Sequence, residues 1–377
     1  VKFTMSRGFA KYVKLKYPPT ASAVLSDKLF AVGGGGGKSK SGIPNRISLL
    51  CLDQDELKEI AHLDFDDDRV VGLCASPKGK VILCTTHGGK THAVGYNDKE
   101  LKLMFSMATG KADPSGDYPS QRAVAFNPAG TQVVISHGEK LGMWDFSTSG
   151  LKLIRDFGVN ADGKSWHAEA IRDVCFHPDG KRILSHDDST CCIWDAKTGK
   201  LLFEHLSEKS SNVGKGAQKF RGAVFTEDGN KIITALSTRD AGFIQEHKVD
   251  KDLPIVRQKK IVTCPITTIS GLDKMIAFVG CSDGRVAMLN CANIGIQCCL
   301  DIHSMPITKV HALKSHNCFS IAFDNFCGHG LMQAKIHKQR RQFAMFLIFA
   351  FLFLLSATVF LAGGDFIRKL QGTATVS

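Results

Sequence analysis

The stretch RDVCFHPDGKRILSHDDSTCCIWDAKTGKLL, Arg172–Leu202, decides the architecture. It holds an apolar run ending at Phe176, a Pro178-Asp179-Gly180 turn, a second apolar run to His186, and a third closing on Trp194-Asp195. Short apolar runs bounded by Pro, Asp and Gly are strand and turn signals. The same order recurs in VVGLCASPKGKVILCTTHGGKTHAVGY from Val70, RAVAFNPAGTQVVISHGEKLGMWDF from Arg122 and RGAVFTEDGNKIITAL from Arg221. Arg122 and Arg172 lie 50 residues apart, and Arg172 and Arg221 lie 49 apart. Further copies stand at Ile269–Leu300 and, more weakly, at Ser22–Ile60 and Ile307–Phe326. Strands repeating at this period predict an all-β chain of four-stranded blades around a central axis, seven blades at about 45–50 residues each. The Lys2–Tyr17 segment is expected to supply an outer strand that closes the ring with the last blade.

The chain has 377 residues, 44% of them hydrophobic and 22% charged, enough to bury a sizeable core. Its 48 Lys+Arg outnumber 36 Asp+Glu. Part of the excess sits in residues 335–377, where Lys335, Lys338, Arg340, Arg341, Arg368 and Lys369 face one acid, Asp365. Without basic residues concentrated on one face or helix, a nucleic-acid partner is not expected. The 13 cysteines are odd in number, include no C-x-x-C and fall mostly inside apolar runs, so they read as reduced, buried thiols. No asparagine begins an N-x-Ser/Thr sequon, which agrees with a body facing the cytosol.

Phe343–Ala362 reads FAMFLIFAFLFLLSATVFLA, 20 residues without a charge. A helix of that length spans about 30 Å, the hydrocarbon thickness of a bilayer. The basic segment 335–342 on its N-terminal side places residues 1–334, the propeller, in the cytosol and a short tail, 363–377, on the far side. The expected architecture is therefore a seven-bladed propeller followed by a single C-terminal transmembrane helix.

Trp144-Asp145 and Trp194-Asp195 each close a third strand, and Asp188-Ser189-Thr190 precedes the second in the usual register. On these residues the chain resembles the WD-repeat propellers. His87, His137 and His186 recur at equivalent blade positions and read as turn hydrogen bonds at the rim. The acidic run Asp64, Asp66, Asp67, Asp68 reads as a solvated loop. No Ser/His/Asp arrangement and no metal-ligand spacing is visible in the sequence.

One segment breaks the repeat. AVGGGGGKSKSGIPNRISLL, Ala31–Leu50, sets five glycines between two strand-like runs. Gly37-Lys38-Ser39 imitates the end of a phosphate loop, but Val32 stands at its first glycine position and a strand follows instead of a helix. Pro44 fixes its own φ and restricts Ile43, so the loop has a structured ending. Glycines also let backbone carbonyls converge, the donor set that K⁺ takes in place of its hydration shell.

The glycine run, the Gly42-Ile43-Pro44-Asn45 ending in the first blade and the C-terminal anchor together resemble the membrane-bound guanine nucleotide exchange factors of the endoplasmic reticulum. These activate the Sar-type small GTPase that starts COPII coat assembly. The resemblance covers nearly all of residues 1–362. It implies that Asn45, with Ile43 and Pro44 beside it, contacts the GTPase. It also implies that Gly33, Gly34, Gly35, Gly36, Gly37 and Gly42 offer carbonyls to K⁺. Lys38 and Lys40 depart from the pattern expected near a cation. Such a factor breaks no covalent bond. It binds the nucleotide-free state more tightly than the GDP-bound one and so speeds GDP release. The rival expectations are a non-catalytic membrane-anchored scaffold or accessory factor for export, and a propeller that reads peptides through its central opening.

Overall fold

In the computed structural model, seven four-stranded antiparallel sheets follow one another along the chain. The residues described are 9–350, apart from 39–41, 55, 67, 161, 207–216, 250–253 and 272–274. Blade 1 runs from Pro19 to Asp64, blade 2 from Val70 to Ala108, blade 3 from Val124 to Phe157 and blade 4 from Asp173 to Leu206. Blade 5 covers Lys219–Val262, blade 6 Ile266–Asp301 and blade 7 Ile307–Gly330. Consecutive strands pair in order within each blade, so the repeats read from the sequence are the structural units.

The N-terminal strand Ala10–Lys14 is the fourth strand of blade 7, with Ala10 opposite Gly330 and Lys14 opposite Phe326. Leu331 N donates to Phe9 O, and Leu15 N donates to Asn325 O, so the pairing continues past both ends of the ladder. The part of the expected closing segment that precedes Phe9 lies outside the described residues. Across the closing seam, Phe30 of blade 1 stacks on Phe319 of blade 7, ring centroids 4.2 Å apart. Tyr17, 1% exposed, puts its hydroxyl 2.9 Å from Val32 O and 2.8 Å from Ser48 Oγ.

Blade 4 contains the internal bonds that its Trp-Asp ending implies. Trp194 Nε1 donates to Ser185 Oγ at 2.8 Å, and His167 Nε2 lies 2.7 Å from the same oxygen. The opposite ring nitrogen faces Asp187 Oδ2 at 3.5 Å. Asp187, not the Asp188 expected from the register, takes this position. It also accepts the amides of Ala168, Glu169, Ser189 and Thr190. Burial works against its charge, yet His167 and these amides outweigh burial and hold its pKa well below the usual carboxylate range. Blade 3 has the Trp but not the bond: Trp144 Nε1 is buried without a partner, while Ser136 Oγ accepts Ala123 N instead.

A second unit begins at Gln333, and residues 332–350 are helical. The expected span Phe343–Ala362 is described only to residue 350; its remainder and the tail lie outside the described residues. Among the described residues no helix is long and apolar enough to cross a membrane.

Two outcomes follow from the closure and the blade 4 bonds. The Phe9 and Leu331 bond makes Lys11 and His329 a hydrogen-bonded pair, so Lys11→Pro removes a ladder bond and should cost about 3 kcal/mol in urea unfolding. Lys11→Ala should cost much less. Asp187→Asn should destabilise by about 3 kcal/mol at neutral pH. Because the folded pKa is depressed, this stabilisation is present above the unfolded carboxylate value and disappears as pH falls through the folded one. The variant's stability should therefore converge on wild type in strong acid, read as a narrowing gap between unfolding midpoints.

Candidate functional site

The glycine-rich segment divides into strand and loop. Gly33 and Gly34 belong to the strand Leu29–Gly34, lying opposite Ala21 and Pro19 on one side and Ile47 and Arg46 on the other. A Cβ on Gly33 would meet Val70 Cγ1 at 2.4 Å, and one on Gly34 would meet Pro18 O at 2.2 Å. Gly33 permits close packing against blade 2 and Gly34 close approach of the Tyr17–Pro19 segment, and both sit inside the sheet rather than in the loop. The loop proper begins at Gly35 and ends at Asn45, where the strand Arg46–Asp53 starts.

Asn45 organises this loop. Its side chain is 4% exposed, and Oδ1 accepts Gly37 N at 2.8 Å. Nδ2 donates to Gly37 O at 3.1 Å and to Asp66 O at 2.8 Å. Gly35 adopts φ +145°, and a Cβ there would lie 2.2 Å from Asn45 Oδ1, so a glycine is needed for the amide to enter. Gly37 and Gly42 take φ +73° with open space around them. Ile43, 38% exposed, stands at the surface beside half-buried Pro44. Asn45 thus points inward and Ile43 outward, so the structure brings the three predicted contact residues together with different duties.

The carbonyls of Gly37 and Asp66 both accept from Asn45 Nδ2, so the amide itself fills the point on which they converge. Residues 39–41, including Lys40, lie outside the described residues. Lys38 lines a cavity of about 280 Å³ with Asp68, Arg69, His87 and Tyr118.

The neighbouring acids are structural. Asp64 receives Arg46 through two bonds, 2.7 and 3.1 Å, and Asp68 accepts Thr86 Oγ1 and Gly88 N, each at 2.6 Å. Asp67 lies outside the described residues. The three recurrent histidines stay in separate blades. His87 is exposed at its turn, and His137 Nδ1 lies 2.9 Å from Gln121 Nε2. His186 is buried and lines the central channel, which corrects its assignment to the rim.

The bend before Ile266, the end of the strand Ile276–Cys281 and the turn after it bring Cys264, Cys281 and Asp283 together, close enough for three ligand atoms to share a metal. No spacing signal reveals this group, because its members come from two strand ends. Arg285 Nε already donates to Asp283 Oδ2 at 2.7 Å, and the bond with Cys281 lowers the Cys264 pKa.

With this geometry in hand, comparison places the chain among known propellers. Residues 164–195 match the family described as WD domain, G-beta repeat, the segment that carries His167, Ser185, Asp187 and Trp194. The maize guanine nucleotide-binding protein subunit beta is 24% identical over 185 residues, 45% of this chain and 47% of that protein. The guanine nucleotide-exchange factor SEC12 of Candida glabrata is 20% identical over 324 residues, 80% of this chain and 67% of SEC12. The chain fits a divergent SEC12-type WD propeller. The putative exchange factor SED4 of the same yeast is 20% identical over 314 residues, covering 78% of this chain but only 29% of SED4. The chain thus spans 47% of the maize subunit and 29% of SED4.

Asn45→Ala removes three side-chain bonds that tie the loop to its base. It should cost about 1–3 kcal/mol and speed tryptic cleavage after Lys38, read by mass spectrometry under native conditions. Asn45→Asp, which keeps the acceptor for Gly37 N but not the two donors, should fall between.

Proposed function

We propose that this SEC12-type propeller is a guanine nucleotide exchange factor that activates a Sar-type small GTPase at the endoplasmic reticulum membrane and so starts COPII vesicle budding. The observation that carries the proposal is the Gly35–Asn45 loop of blade 1, fastened from within by Asn45 and presenting Ile43 at its surface. Alignment with SEC12 across most of the chain supports it.

In this mechanism the propeller face supplies contact area and the loop supplies the wedge. Ile43 and Pro44 press against the elements that close over the bound nucleotide, and Asn45 holds the loop in shape for that contact. A GTPase retains GDP because its phosphates and Mg²⁺ are gripped by the phosphate loop and switches. A partner that binds the loosened state more tightly lowers the barrier to release by that difference in affinity. The work is done by binding alone, without covalent catalysis.

Gly35, Gly36 and Gly42 would hold K⁺ through their carbonyls, Gly33 and Gly34 being committed to the sheet and the Gly37 carbonyl to Asn45. A bound ion would offset the repulsion among those carbonyl dipoles. The segment Phe343–Ala362 anchors the chain as a single-pass membrane protein with the propeller in the cytosol and 363–377 in the lumen. Activation is thereby confined to one membrane.

The test is GDP release from a Sar-type GTPase mixed with the full chain in detergent, in K⁺ and in Na⁺. Wild type should accelerate release. Ile43→Asp should lose about tenfold or more, equivalent to about 1.4 kcal/mol of transition-state stabilisation, without a change in thermal midpoint. Asn45→Ala should lose activity together with loop protection. Wild-type acceleration should weaken in Na⁺. Binding without acceleration would overturn the exchange mechanism in favour of a scaffold or accessory factor.

A further inference from the structure

The repeat that builds the blades also builds a cationic mouth. Arg69, Arg122, Arg172 and Arg221 stand at or just before the innermost strands of blades 2, 3, 4 and 5. All four line one cavity of about 690 Å³ around the central axis, together with Lys309 and Asp173. Five cationic side chains therefore face one carboxylate.

The pairing of these charges is uneven. Lys309 Nζ meets Asp173 Oδ2 at 2.5 Å. Arg221 Nη1 reaches Asp188 at 2.9 Å, and Lys219 and Arg172 bind the same carboxylate. Among the described residues, no carboxylate lies within ion-pair distance of Arg69 or Arg122. Arg69 Nε is buried and without a hydrogen-bond partner. Burial, and then the like charges of Arg172 and Arg69, pull the Arg122 pKa below its ordinary value. The histidines lining the cavity add no charge at neutral pH, since burial lowers His186 and takes His311 down to about 4. Threonines 20, 267, 268 and 308 add hydroxyls to the lining.

Adjacent like charges cost folding free energy, and neither Arg69 nor Arg122 recovers it through an ion pair within the chain. Guanidinium is the group that binds phosphate through two parallel N–H···O bonds. We propose that this mouth is a phosphate-binding site for a ligand carrying closely spaced phosphate groups, with Arg69 and Arg122 as its principal contacts.

The site shares a face with the loop of blade 1. Antiparallel strands send the second-to-third connections and the blade-to-blade connections to the same end, and Arg69 lines both this cavity and the smaller one containing Gly37 and Lys38. The proposal rests on the charges alone and does not depend on exchange activity.

The experiment is calorimetric titration and thermal unfolding of the full chain in detergent at about 0.15 M salt. The probes are tripolyphosphate, a doubly phosphorylated serine peptide and, as control, sulfate at matched ionic strength. Either phosphate probe should bind and raise the midpoint. The tighter of the two identifies the source as a small polyphosphate or a phosphorylated protein segment. Arg122→Gln and Arg69→Gln should each weaken binding by about tenfold, with exposed Lys102→Gln unchanged. Ligand-free Arg122→Gln should unfold at or above the wild-type midpoint, because substitution relieves repulsion. No binding of either probe, equal binding by Arg122→Gln, or an equal shift with sulfate would overturn the proposal.

Discussion

Hydrogen bonds between the two ends of the propeller sequence hold the ring shut, and the blades are positioned by them. Blade 7 supplies three strands of its own and takes its fourth, Ala10–Lys14, from the start of the chain. The bonds at Phe9 and Leu15 extend this pairing, and the Phe30–Phe319 stack seals the adjoining blades. Blades packed side by side around an axis leave only short, protected edges, so closure is what makes seven modest sheets one body. The inner strands then hold fixed positions, and residues at their ends acquire defined neighbours across the axis.

On that frame the loop of blade 1 is shaped by one amide. Asn45 satisfies a donor and an acceptor of Gly37 and reaches across to Asp66, which a side chain can do only because Gly35 carries no Cβ. A buried amide with its bonds satisfied rigidifies its surroundings, while the loss of one partner leaves polar groups exposed to an unfavourable interior. For the docking role proposed for this loop rigidity would matter, because a floppy glycine run would lose contact energy to the entropy of ordering itself. The positive-φ glycines provide the bend, and the asparagine removes the freedom they would otherwise bring.

Charge is used in two opposite ways in neighbouring parts of the propeller. In blade 4, Asp187 is surrounded by amides and His167, so its charge is satisfied and serves stability. At the central mouth, Arg69 and Arg122 face other cations, and that charge is left for something outside the fold. The carboxylate committed to the fold lies in blade 4, and the guanidiniums that are not lie at the starts of blades 2 and 3.

Much of the fold was legible along the chain. The Pro-Asp-Gly turns and apolar runs are local signals, and their spacing near 50 residues announced the blades, because every copy obeys the same strand and turn chemistry. The glycine-rich loop and its Ile43-Pro44-Asn45 ending were legible for the opposite reason, as the one segment that interrupts the repeat. Tertiary structure alone decided which glycines are loop and which are strand, since Gly33 and Gly34 are identical in sequence to Gly35 and differ only in the strands beside them. It decided that Asn45 faces inward, that Asp187 rather than Asp188 joins Trp194's network, and that Trp144 lacks its bond despite the same Trp-Asp ending. Four arginines about 50 residues apart became one cationic surface for the same physical reason. Sequence spacing describes the repeat, but the distance between equivalent positions of different repeats is set by the closed ring.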